Sequence, residues 1–106
     1  MYKLVRDNIP EILEEKKIPH KTKIIQNDTD YITALHKKLI EEVHEYIESS
    51  VQNNPDQEKE EIADILEVIE AICILKKHDT NKIQEYKKQK KEKKGGFEKR
   101  ILFSKE

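Results

Sequence analysis

Glu42-Val43-His44-Glu45 and Glu61-Ile62-Ala63-Asp64, joined by a polar turn containing Asn53-Asn54-Pro55-Asp56, decide how the rest of the chain is read. Residues advance about 100° per step round a helix, so acids three apart share a side and each pair can present two carboxylates together. Face to face, the two pairs make an oxygen-rich pocket. Converging carboxylates repel one another until cations neutralise them, and all-oxygen ligation suits hard Mg2+, or Mn2+ in its place. The stretch therefore predicts a divalent metal site between two antiparallel helices, with Glu42, Glu45, Glu61 and Asp64 as ligands and phosphate chemistry as its purpose.

In a chain with 22 Asp and Glu, acids at helical spacing ordinarily mark a solvated face. These two pairs differ because both flank apolar stripes. Upstream, Asn27-Asp28-Thr29-Asp30 can cap a helix, and Ile32, Leu35, Leu39, Val43, Tyr46 and Ile47 then step by three and four to about Ser50. Glu42 falls roughly 70° from the centre of that stripe, at the core's edge, with Glu45 further round. Ser49 to Asp56 reads as the break, and Pro55 is placed to start the next helix. There Ile62, Ile65, Leu66, Ile69, Ile72 and Cys73 form a second stripe, broadened by Val68 and Leu75 and flanked by Glu61. Two long helices with a short connection pack antiparallel, which puts the acids at comparable heights.

Outside this hairpin the signals are shorter. Pro10 suits a first helical turn, Glu11 to Lys17 continues it, and Pro19 stops it. His20 to Gln26 is partly alternating and β-branched, which predicts a strand. Asp79-Thr80-Asn81 caps a third major helix holding Ile83 and Tyr86, which runs through the lysine-rich Lys87 to Lys94 and ends at Gly95-Gly96. Phe97 to Phe103 reads as extended, either paired with the early strand or laid across the bundle. The expected fold is a mainly all-α antiparallel helix bundle with short extended N- and C-terminal segments, as one domain over 1–106.

Composition agrees with that class. At 41% charged and 35% hydrophobic with two glycines, the chain favours helices with charged outer faces over an all-β fold. A net charge of -1 gives no general pull toward nucleic acid or acidic membranes, and the lysine run carries few aromatics. No stretch approaches the ~20 apolar residues of a membrane span, and charge interrupts the opening before a signal-like run develops. A single cysteine, Cys73, excludes an internal disulfide and reads as a core thiol in a reducing, cytoplasmic setting. His20, His36, His44 and His78 lack the paired spacing of zinc ligands.

Taken together, Glu42-x-x-Glu45 and Glu61-x-x-Asp64 resemble the signature of the all-α nucleoside triphosphate pyrophosphohydrolase superfamily, which includes MazG, dimeric dUTPases and phosphoribosyl-ATP pyrophosphohydrolase. The flanks are similar to one small MazG-like branch. They are Lys3-Leu4-Val5-Arg6-Asp7-Asn8-Ile9-Pro10-Glu11-Ile12, Lys38 to Glu45, Glu60 to Ile69, and Lys90 to Ile101. Asn8 stands where that branch usually has lysine. The resemblance implies a MazG-like helical scaffold that dimerises, binds Mg2+ through Glu42, Glu45, Glu61 and Asp64, and cleaves a nucleotide between its α- and β-phosphates.

On that reading a carboxylate not fully engaged by metal accepts a proton from water, and Glu41 and Glu45 are the candidates. Cationic side chains should grip the outer phosphates. Arg6, Lys90, Lys93, Lys94 and Arg100 are available, although the lysine run also suits a solvated helix end. The competing expectation is a non-catalytic helical interaction protein that keeps the scaffold and binds a partner through its charged faces.

Overall fold

In the computed structural model, which describes residues 2–106, the chain forms four helices: α1 (Ile9–Glu15), α2 (Asp28–Val51), α3 (Pro55–Lys76) and α4 (Thr80–Lys94). It divides into two compact units, Met1–Lys76 and Lys77–Glu106. The described residues contain no strand, so the fold is all-α. His20 to Gln26 runs as irregular backbone and corrects the strand expected there. β-branched side chains do not hold an extended segment without a ladder to pair with.

In the first unit, α2 starts where Asn27 adopts extended backbone and its side chain accepts the Asp30 N–H at 2.8 Å. Asp28 and Asp30 place negative charge on the positive end of the helix dipole. The helix continues through Val51, past the expected start of the break. The chain then reverses over Gln52 to Asn54, with Asn53 in left-handed backbone at φ 55°, a conformation asparagine tolerates better than most residues. Asn54 caps α3 by accepting the Gln57 N–H at 3.2 Å, and Pro55 fills the first helical position, where its missing N–H leaves nothing unsatisfied.

α2 and α3 pack against each other as an antiparallel pair. The buried residues of the two helices are Leu35, Glu42 and Ser49 on α2 and Glu61, Val68 and Cys73 on α3. The seven-residue spacing of Leu35, Glu42 and Ser49, and of Glu61 and Val68, keeps one narrow line of each helix facing the other. Ser49 stays inside because its hydroxyl donates to the Tyr46 carbonyl at 2.8 Å. The apolar stripes are therefore only partly core. Ile62, Leu66 and Ile69, expected to be buried, lie exposed on α3, as do Val43 and Ile47 on α2.

Residues from Lys3 to Ile12, in the N-terminal segment and α1, line a groove together with α2 and α3. In the second unit, Asp79 caps α4 by accepting the Asn81 N–H at 2.9 Å. The helix ends at Gly95 with φ 85°, as the glycine pair suggested. None of its residues is buried. Phe97 to Phe103, expected to be extended, opens instead in a turn closed by the Arg100 N–H to the Phe97 carbonyl at 3.1 Å and lies exposed, with no strand among the described residues to pair with. No helix among the described residues is long and apolar enough to cross a membrane.

Candidate metal centre

Glu42 and Glu61 are only 5% and 6% exposed, which is unusual for carboxylates and puts Glu42 inside the seam rather than at its edge. Because these helices run antiparallel, Glu42, Glu61 and Asp64 bring one oxygen each within 4.8 Å of the others. Glu41, Glu42 and Glu45 do the same on the α2 side. The two triplets share Glu42, so the acids predicted as ligands or proton acceptors form two overlapping groups. Burying charge this way costs free energy unless each group finds a counter-charge or a donor.

Part of that requirement is met by protein donors. Lys38 Nζ lies 3.1 Å from Glu42 Oε1 and 3.5 Å from Glu41 Oε2. Burial alone would lower the Lys38 ammonium's pKa, but its hydrogen bond to Glu42 and the charge of Glu41 outweigh burial and raise it. On α3, Gln57 Nε2 donates to Glu61 Oε1. From the N-terminal segment, Arg6 Nη2 reaches Asp64 Oδ1 at 2.7 Å and Nη1 lies 3.6 Å from Glu67 Oε1. Lys3 Nζ adds a contact to Glu41 Oε1 at 3.3 Å.

The remainder is unmet. Glu42 Oε2 and Glu61 Oε2 are buried and have no hydrogen-bond partner. Glu45 responds to the same crowding. Burial first, then repulsion by and hydrogen bonding with Glu42 and Glu61, push its carboxyl up to about 7. A proton held by Glu45 can face one neighbouring carboxylate, so one inner oxygen still lacks a partner.

This donor set fits a hard divalent cation. The converging atoms are all carboxylate oxygens, the ligand type suited to Mg2+ or Mn2+ rather than zinc. The histidines take no part in either triplet. The inner oxygens of Glu42 and Glu61 find no donor beyond a proton on Glu45, a shortfall of positive charge that a cation would offset.

Of the predicted phosphate-binding cations, Arg6 stands at the site, engaged with Asp64 and Glu67. Lys90, Lys93 and Lys94 belong to α4 and Arg100 to the tail beyond it, all exposed and all in the second unit. Sequence reasoning passed over Lys38 and Gln57. Each precedes a buried glutamate by four residues, a spacing that could have identified them. Beside the carboxylates the groove has a volume of about 860 Å3 and a mixed lining that includes Arg6, Tyr31, Leu35, Lys38, Asp64 and Val68. Comparison of the chain with protein-family models, with curated proteins and with solved structures finds no match.

Proposed function

We propose that this chain is a Mg2+-dependent nucleotide pyrophosphohydrolase, which cleaves a nucleoside triphosphate or related nucleotide between its α- and β-phosphates. One water is consumed, and the products are the monophosphate and pyrophosphate. The observation that carries this reading is the pair of buried, donorless oxygens of Glu42 and Glu61 in a cluster with Glu45 and Asp64. A solvated acidic face has no cause to bury such atoms.

Glu42, Glu45, Glu61 and Asp64 would hold the cation. When bound, it supplies charge neutralisation at the phosphates and a water of increased acidity. The chain's own residues do the rest. Glu45, which lies with Glu41 and Glu42 on the α2 side of the site, is the better group to take the water's proton, and Glu41 is the alternative. The groove is within the range of small-molecule sites and could take the nucleoside along its apolar floor at Leu35 and Val68. Arg6, more than half exposed, can swing from Glu67 toward an incoming phosphate without leaving a buried charge behind.

The same proposal includes a homodimer. Val43 and Ile62 each follow a buried seam glutamate by one residue. On antiparallel helices that step turns both side chains toward the same side of the pair. With Ile47, Leu66 and Ile69 they form an uncharged, exposed strip. A two-fold axis needs only one such strip, since it can meet its own copy and close a four-helix arrangement.

The test is a screen of nucleoside triphosphates, damaged forms and phosphoribosyl-ATP with pyrophosphate release as readout. Alanine at Glu42, Glu61 or Asp64 is expected to abolish release while helical circular dichroism persists. Activity retained in all three variants would overturn the assignment. Absence of any rise in melting temperature with Mg2+ and nucleotide would favour an interaction protein.

A further inference from the structure

Glu42, Glu61 and Asp64 share a pattern beyond their proximity. In each, one oxygen is held by a donor of this chain: Glu42 Oε1 by Lys38, Glu61 Oε1 by Gln57 and Asp64 Oδ1 by Arg6. In the two buried acids the opposite oxygen is the one left without a partner. A glutamate side chain rotates about several bonds, and clustered carboxylates would otherwise turn away from one another. Tying down one oxygen fixes the plane of the carboxylate and so fixes where the other oxygen points.

The donors are themselves anchored. Gln57 is held at both ends, because its backbone N–H bonds to Asn54 while its side chain reaches one turn forward to Glu61. Lys38 lies one turn before Glu42 with its side chain only 17% exposed, too covered to be a casual surface partner. Arg6 arrives from a different segment and forks between Asp64 and Glu67.

We propose that Lys38, Gln57 and Arg6 are positioning residues for a divalent cation, each occupying one carboxylate oxygen so that the other is presented inward. The inference rests on the metal reading above and adds to it which residues, besides the ligands, set the affinity. Outer partners of this type typically change metal affinity by about 10- to 100-fold when removed.

The test measures Mn2+ binding to the full chain, without nucleotide, by the electron paramagnetic resonance signal of free Mn2+. Gln57→Met changes no charge, keeps the side chain's length and removes only the donor. It is expected to weaken Mn2+ by about 10- to 100-fold. Lys38→Met is expected to weaken it also, although removal of a nearby positive charge would by itself favour a cation. Lys38→Arg, which keeps a donor at that oxygen, should recover most of the affinity. Arg6→Met should have the smallest effect, since its pair is the most exposed.

Should Gln57→Met lose its helical circular dichroism, Gln57→Asn, which keeps the amide but shortens its reach, replaces it with the same expectation. Unchanged Mn2+ affinity in the Gln57 variant, or tighter binding in Lys38→Met, would overturn the positioning role while leaving the metal centre standing. Failure of the unaltered chain to bind Mn2+ would overturn the metal reading and this inference together.

Discussion

In the helical hairpin of α2 and α3, half of the buried residues are polar: Glu42, Ser49 and Glu61 are buried alongside Leu35, Val68 and Cys73. A step further round, Val43, Ile47, Ile62, Leu66, Ile69 and Ile74 are exposed, with Leu66 at 61%. Folding alone would favour the reverse, since each fully buried aliphatic side chain contributes roughly 1.5–3 kcal/mol and a buried carboxylate costs free energy. The two regions depart from that expectation for different reasons. On the function proposed above, the seam keeps its charge for a cation and the flank keeps its apolar area for a second copy of the chain.

The sharpest way to break the comparison is to remove charge from the seam. Glu61→Gln keeps the shape and the contact with Gln57 but takes away one of the crowded carboxylates. Pyrophosphate release is expected to fall to background. Metal-free stability should move the other way, rising by roughly 1–3 kcal/mol as the unpartnered charge disappears. For a domain of this size each kcal/mol is worth about 4–8 °C in melting temperature. A rise in stability together with loss of the Mg2+-induced shift would identify the seam acids as functional groups retained at a cost to folding. A drop in stability would show that they hold the hairpin together.

The flank is tested by adding charge to it. Leu66→Asp is expected to weaken self-association by about 2 kcal/mol or more, as loss of a central interface anchor does. Light scattering should show the dimer giving way to monomer, and the melting temperature of the unaltered chain should rise with its concentration. Mn2+ binding by the monomeric variant would show that the seam works without the flank. Loss of both would tie the two regions together.

A subtler separation comes from pH. Glu45 has a folded-state pKa near 7 against an ordinary 4.5, so the folded chain holds this proton where the unfolded chain has released it. Its contribution to stability is complete below about 4.5 and is lost as pH rises through about 7. Metal-free melting temperatures should accordingly fall across that window. A cation replaces the proton, so Mg2+ should flatten the curve and, near pH 6, release up to one proton on binding. Calorimetry in buffers of different ionisation enthalpy measures that proton. The exposed flank contains no titrating group among its isoleucines and leucine, so Leu66→Asn should leave the pH slope unchanged.

Much of this was legible in the sequence. Asn27 and Pro55 marked the starts of α2 and α3 because capping and fixed φ are local properties. The acid spacing located the cluster because helical geometry turns sequence distance into direction. What periodicity could not supply was the identity of the covering surface. Ile62, Leu66 and Ile69 formed an apolar stripe on paper, but the seam took Glu61 and Val68 instead, a rotation of about one residue that leaves the larger side chains outside. Lys38 and Gln57 stayed hidden for a related reason. A partner four residues away looks the same in sequence whether the pair is solvated or buried, and only burial makes it consequential. The strand expected at His20 to Gln26 failed because strands depend on distant pairing that composition does not record.

The smallest expected effect concerns what holds the N-terminal segment to the hairpin. Lys3 and Glu41 make a 3.3 Å ion pair with side chains 67% and 31% exposed, so water and salt screen it from both directions. Lys3→Ala should shift stability by less than about 1 kcal/mol. Even that shift should shrink in high salt, where the screening length falls to a few ångströms. Arg6, one of the lining residues of the same groove, touches Asp64 inside the cluster. Its replacement should therefore be read more clearly in metal affinity than in melting temperature. If Lys3→Ala and Arg6→Met were equally silent toward Mn2+, the segment would be packing only. If Arg6→Met alone weakened Mn2+, the N-terminal segment would share in the work of the seam, leaving the bare flank as the part given to assembly.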